Sequence, residues 1–234
     1  MVRIIKSSFI DYKLTILRNK KTSSSLFRQT MNEVSYLIAA DVLKYLNFTR
    51  ISIQTPIQKT NGTKLSQSIV IVPILRAGLG LVEGFIKFLP NAEKGHIGLY
   101  RNEQTYKPVE YLCKLPKVKN KFFIILDPML ATGNSSNEAI NILKRSKVKT
   151  SNITLVSLLA APEGLKNIQK NHRSLKVFTA SIDKGLNKDL IDRCKDSNFE
   201  AMAVTVDTAV GGNRERDLYT GFTIPMKLKL SSIL

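Results

Sequence analysis

Asp127 follows the apolar run Phe122–Leu126 and precedes Pro128, Met129, Leu130, Ala131, Thr132, Gly133, Asn134 and Ser135. A carboxylate at a strand tip accepts hydrogen bonds from a sugar diol. The turn at Ala131, Thr132 and Gly133 opens a helix, and amides of such a loop and of a helix N-terminus converge on a phosphate. That combination reads as a site for a ribose phosphate. Two cationic side chains stand at comparable strand ends: Arg76 closes SIVIVPIL at 68–75, and Arg101 closes HIGLYR at 96–101. The bland alternative for Arg76 is a surface arginine after a core strand. Gly78 and Gly80 close behind it permit near approach of a ligand and favour the functional reading. His96 and His172 lack a nucleophile-like or ligand-like neighbour and read as structural. Cys113 and Cys194 fall in neither a CxxC nor a CxxH spacing, which argues for a reducing compartment without a disulfide framework or zinc site.

The elements around these residues alternate strand and helix. Phe122–Leu126 is too short for a helix and too apolar on both faces for an exposed sheet, so it reads as a strand of a parallel sheet. NSSNEAINIL after it has polar caps and helical spacing. SIVIVPIL, RAGLG and LVEGFIKFL repeat the strand, loop, helix sequence, and SNITLVSLLAAPEGLKNIQKNH repeats it again, with Pro162 at the helix start. Residues 176–183 and 201–207 read as further extended segments. Residues 23–46 read as the first long helix, capped by Ser23–Ser25, with Phe27, Met31, Val34, Ile38 and Val42 on one face. Residues 51–68 read as a peripheral hairpin turning at NGTK. The polar, Pro-containing stretch NEQTYKPVEYLCKLP reads as a β-arm at about 101–118, of the kind that serves as a lid or dimer arm. The expected fold is α/β: a doubly wound, mostly parallel central sheet with flanking helices, in one domain over residues 1–234.

Composition narrows the class. The 234 residues are 43% hydrophobic and 23% charged, ordinary for a soluble globular chain. No apolar run approaches the ~20 residues of a membrane span. The formal charge of +18 raises nucleic acid or an acidic membrane as partners. Dispersed basic residues and 7% aromatics favour a solvated basic surface instead, one that also gathers a polyanionic substrate. The basic, serine-bearing start MVRIIKSSFI invites comparison with a transit peptide, and is read as part of the mature fold, acting in the cytoplasm or in an organelle stroma if encoded there.

DPMLATG at 127–133 resembles the 5-phosphoribosyl pyrophosphate (PRPP) signature of type I phosphoribosyltransferases, in the form carried by uracil phosphoribosyltransferases. VPILRAGLGLVEG at 72–84, GLYRNEQTYKPVEYLCKLP at 98–116 and the segment 13–38 are similar to that family in wording and order, so the likeness runs from about Tyr12 to Leu186. The resemblance implies transfer of phosphoribose from PRPP to uracil, giving UMP and pyrophosphate in pyrimidine salvage. Asp127 and Arg101 would be catalytic. The loop 129–136, with Pro128 just before it, would cradle the 5-phosphate through its backbone amides, the hydroxyls of Thr132 and Ser135 assisting, while Arg76 and Arg101 grip the pyrophosphate as guanidinium forks. Mg²⁺ is expected on that pyrophosphate. A homo-oligomer is implied, as is GTP as an effector in some members. Asn134 stands where a glycine is common, and its tolerance of left-handed angles would preserve the loop. The base would lie under a C-terminal hood at about 183–234, where VGGNRERDLYTG at 210–221 loosely echoes the family's glycine-rich acidic segment, with Gly212 and Asp217 as base-site candidates. The altered hood leaves two alternatives: another nucleobase, or a catalytically idle RNA-binding regulator of the same fold.

Overall fold

The computed structural model describes residues 1–19, 21–102 and 108–183. In chain order the strands and helices are β1 (Val2–Ile4), α1 (Ser8–Arg18), α2 (Ser24–Val42), β2 (Phe48–Gln54), β3 (Lys59–Leu65), β4 (Ser68–Leu75), α3 (Leu79–Phe88), β5 (Glu93–Lys94), β6 (His96–Arg101), β7 (Pro108–Lys114), β8 (Lys121–Leu126), β9 (Met129–Leu130), α4 (Asn134–Arg145), β10 (Ile153–Ala160), α5 (Pro162–Asn171) and β11 (Lys176–Ile182).

The main sheet runs β1-β11-β10-β8-β4-β6-β7. Its neighbours are parallel except for the antiparallel β6–β7 pair at one edge. From β4 the chain steps outward to β6 and then returns to β8 on the other flank of β4. The strand order therefore reverses between β4 and β8, and ligands of open α/β sheets collect outside the carboxyl ends at such a reversal.

Both faces of the sheet are covered, which accounts for strands without polar alternation. Val70, Val72 and Ile74 of β4 join Phe123 and Ile125 of β8 in one core, closed by Ile140 and Leu143 of α4 and Ile168 of α5. Their alternates Ile69, Ile71, Ile124 and Leu126 enter a second core with Leu14 of α1, Val34 and Ile38 of α2, and Leu81 and Phe85 of α3. Each large apolar side chain so buried contributes about 1.5–3 kcal/mol before entropy is counted. Among the described residues, no helix is long and apolar enough to cross a membrane.

The expected helix at 23–46 is α2 followed by a single 3-10 turn, Leu43–Tyr45. Ser23 caps it by accepting the Leu26 amide at 3.3 Å. The hairpin turn lies elsewhere than expected. NGTK is inside β3, where Gly62 pairs with Ile51 beneath the Ile53 side chain, and the chain reverses at 55–58. There Thr55 Oγ1 donates to the Gln58 carbonyl at 2.7 Å and accepts the Gln58 amide at 3.0 Å, with Pro56 following Thr55 into the turn. The N-terminal segment, read only as part of the fold, forms two elements: β1 pairs in parallel with β11, and α1 buries Ile10 and Leu14. The stretch 201–207 lies outside the described residues.

Helices α2 and α3 approach so closely that a Cβ at Gly84 would collide with the Ser35 backbone and come within 2.5 Å of its Oγ. Backbone on a packed helix cannot yield cheaply. Gly84→Ala is therefore expected to lower stability by about 1–3 kcal/mol, read as a shift in the urea unfolding midpoint at unchanged slope.

Candidate active site

Arg76 follows β4, Asp127 follows β8 and Ala161 follows β10, so all three lie at one carboxyl edge, the first two on either side of the reversal. What holds the middle tip is largely β10. The Asp127 amide donates to the Val156 carbonyl at 3.0 Å, and the Pro128 carbonyl accepts the amides of both Leu158 and Leu159 at 3.0 Å. Proline does interrupt the ladder, but Met129 and Leu130 resume pairing with Leu159 and Ala160 in the register that β8 kept, and the Ala161 amide donates to the Leu130 carbonyl at 2.8 Å. Pro128 and Leu130 are buried, Met129 is exposed.

Asp127 is half-buried as a residue, yet its carboxyl is largely shielded from water. Ser136 Oγ donates to its Oδ2 at 2.5 Å. Burial is the dominant influence and pushes the carboxyl up to about 6 from an ordinary 3.8, against the opposing effect of the Ser136 hydroxyl and the Met129 amide, which favour the charged form. Ser136 is fully buried; it was expected within the phosphate loop through its amide alone, with the hydroxyl of Ser135 assisting, whereas Ser135 is exposed on the first turn of α4. A signal existed in the serine doublet: consecutive helical residues diverge by about 100°, so one of the two must face inward.

Gly133 takes the left-handed backbone, φ 78°, at the cap of α4. The left-handed angle thus falls on Gly133 and not on Asn134, which is the first helical residue and exposed. The amides of Asn134, Ser135 and Ser136 occupy the first turn, where no intrahelical acceptor exists. With Thr132 and Gly133 they form a concave run of donors at the positive end of the helix dipole.

Against the back of this loop lies α5. A Cβ at Gly133 would come 2.9 Å from the Gly164 carbonyl oxygen, and one at Gly164 would press on the Ala131 carbonyl and come 2.8 Å from that of Leu130. Two glycines thus permit the contact. Asn167 Nδ2 donates to the Thr132 carbonyl at 2.7 Å and to Asn134 Oδ1 at 3.1 Å. Neither Gly164 nor Asn167 could be singled out from sequence, because their partners lie some thirty residues away.

Arg76 is exposed and is preceded by a cis Leu75–Arg76 peptide. Its turn is closed by the Gly78 amide on the Ile74 carbonyl at 2.8 Å and the Leu79 amide on the Arg76 carbonyl at 3.1 Å. Arg101 ends β6, its backbone paired with Pro108 across the antiparallel edge; its side chain lies outside the described residues, as do Gly212 and Asp217. Among the described residues no group of three or more His, Cys, Asp or Glu is placed to hold a metal ion.

A family model described as uracil phosphoribosyltransferase matches residues 4–191. The chain is 47% identical over 189 residues to uracil phosphoribosyltransferase of Malacoplasma penetrans, covering 80% of this chain and 91% of that one. To the protein of the same name from Finegoldia magna it is 48% identical over 188 residues, covering 80% and 89%. Among solved structures, a protein from Aquifex aeolicus superposes with a TM-score of 0.73 at 34% identity, covering 80% of this chain and 90% of that one. Since the match spans both sides of the sheet's reversal, from the first strand to beyond the last one described, the chain belongs to the uracil phosphoribosyltransferase family.

Proposed function

We propose that the protein transfers the phosphoribosyl group of PRPP to uracil, and that Arg76, Asp127 and the loop 128–136 form the PRPP half of its site. The observation that carries this reading is the pairing, at the sheet's reversal, of a water-shielded carboxyl with an amide-lined turn opening a helix.

In the reaction N1 of uracil forms a bond to ribose C1, the bond from C1 to the pyrophosphate oxygen breaks, and the N1 proton is released. Positive charge develops on the sugar ring, as in glycoside cleavage. Asp127 accepts hydrogen bonds from the ribose hydroxyls and, ionised, lies near that charge. The amides from Thr132 to Ser136 hold the 5-phosphate and anchor C1 relative to the base. Arg76, exposed at the rim, meets the pyrophosphate. Arg101 would take the opposite side of the same group.

With no cluster of acidic or histidine ligands among the described residues, Mg²⁺ would arrive on the pyrophosphate of the substrate and retain several waters there. The ion would neutralise charge on the leaving pyrophosphate. Exposed Tyr100, Tyr111 and Leu112 on the β6–β7 edge support association of copies along that edge.

Purified protein supplied with Mg²⁺, PRPP and labelled uracil should form UMP; a folded preparation that forms none overturns the assignment. Arg76→Ala should raise KM for PRPP by roughly tenfold or more through loss of a guanidinium contact to phosphate.

Asp127→Asn should lower turnover by about 100-fold or more while stabilising the free protein at neutral pH. The sign follows from the raised carboxyl. Between pH 3.8 and about 6 the folded chain keeps a proton that the unfolded chain has lost, so stability falls as pH rises through that window. Above it the ionised group opposes folding, and asparagine removes the penalty. Desolvation of the asparagine amide offsets part of the gain, leaving on the order of 1 kcal/mol, or a Tm gain of about 2–4 °C for a chain of this size, present at pH 8 and absent at pH 4.

Activity itself should rise with pH through about 6 as Asp127 ionises. Ser136→Ala removes a hydrogen bond that favours the charged carboxyl, so the acid limb of kcat/KM should move to higher pH, with a larger loss at pH 6 than at pH 8.

A further inference from the structure

We infer that Asn167, on α5, is a positioning residue for the phosphate loop: by drawing back the Thr132 carbonyl it keeps the adjoining amides turned toward the ligand. The inference rests on the assignment of that loop to the 5-phosphate.

A peptide unit is planar, so the orientation of the Thr132 carbonyl fixes that of the Gly133 amide. Asn167 Nδ2 holds that carbonyl at 2.7 Å, on the side of the loop facing α5. The Gly133 amide, antiparallel to the carbonyl across the same peptide, then points to the opposite side. The second Nδ2 hydrogen reaches Asn134 Oδ1 at 3.1 Å, so one amide group ties the Thr132–Gly133 peptide to the Asn134 side chain, with Gly133 between them. Gly133 carries the left-handed backbone that turns the loop into α4, and the brace straddles it.

Asn167 is itself held. Asn171 Nδ2, one helical turn on, donates to Asn167 Oδ1 at 2.9 Å and to the Asn167 carbonyl at 3.0 Å. This contact fixes which end of the Asn167 amide faces the loop: Oδ1 is occupied as an acceptor, leaving Nδ2 to donate. Close packing at Gly164 sets the distance between helix and loop. Geometry, orientation and donor polarity are all specified from α5.

Asn167→Asp tests the donor with little change of shape. It leaves packing intact but turns an acceptor toward the Thr132 carbonyl and adds negative charge behind a phosphate site. Ribose 5-phosphate is the probe, its binding measured by calorimetry without base or turnover. The expected result is a Kd raised by about tenfold in Asn167→Ala and by more in Asn167→Asp, with the KM for PRPP following and that for uracil unchanged. Asn171→Ala should give a smaller rise in the same direction. Binding by Asn167→Asp equal to that of the unsubstituted protein overturns the brace and leaves the site assignment intact. Failure of the unsubstituted protein to bind ribose 5-phosphate overturns the site assignment and the brace together.

Discussion

Keeping a carboxylate ionised where the fold has removed its water is the constraint on which the site depends. A bare carboxyl at the edge of a sheet buried on both faces takes up a proton, and a protonated Asp127 offers the sugar ring no negative charge. The fold opposes this with two donors, the Ser136 hydroxyl and the Met129 amide, delivered from the far end of the loop and from the residue two along. They do not fully offset the desolvation. The group is left pushed up to about 6, which suits the role proposed for it beside a sugar ring.

The same tension explains the local chain path. Pro128 interrupts the ladder between β8 and β9, and its carbonyl nevertheless receives two amides from β10. The interruption frees Asp127 from strand geometry without detaching it from the sheet. Leu130, returned to register, is buried in the core beneath α4, so the loop that follows starts from a fixed point. A loop anchored at one end by buried Leu130 and at the other by the buried Ser136 needs little ordering on binding, and preorganisation of this sort lowers the cost of binding. The net charge of +18 adds a long-range attraction for polyanions that weakens as salt is raised.

Legibility in the sequence followed the range of the interactions. Buried parallel strands at 68–75 and 122–126 were readable because burial on both faces removes polar alternation, and the tips that follow them, Arg76 and Asp127, fell out with them. The helix start at the loop was readable from its small polar residues, although these do not cap it: the cap is Gly133, and no side chain closes the first turn. Long-range features were not: the role of Ser136 depends on which way one of two adjacent serines faces, and Gly164 and Asn167 act on residues about thirty positions away. The hairpin turn was misplaced because NGTK carries a stronger local signal than Thr55-Pro56, while the side-chain hydrogen bonds of Thr55 and the pairing of Gly62 decide the outcome. The first strand and helix escaped notice because Val2–Ile4 and Ile10, Leu14 sit among basic and serine residues. Only pairing with β11 and packing against α2 give them a reason to form.

The phosphate loop follows β8, but most of what positions it comes from the next strand and helix. β10 supplies the hydrogen bonds that hold residues 127–130, and α5 supplies the glycine contact and the asparagine amide behind residues 131–134. A strand, loop, helix unit cut out at α4 would keep every residue of the signature and lose the groups that give the loop its shape. The signature therefore marks where a phosphate is proposed to bind, whereas the shape of the loop is a property of two consecutive units docked side by side. Loosening α5 should then weaken phosphate capture through the loop it braces.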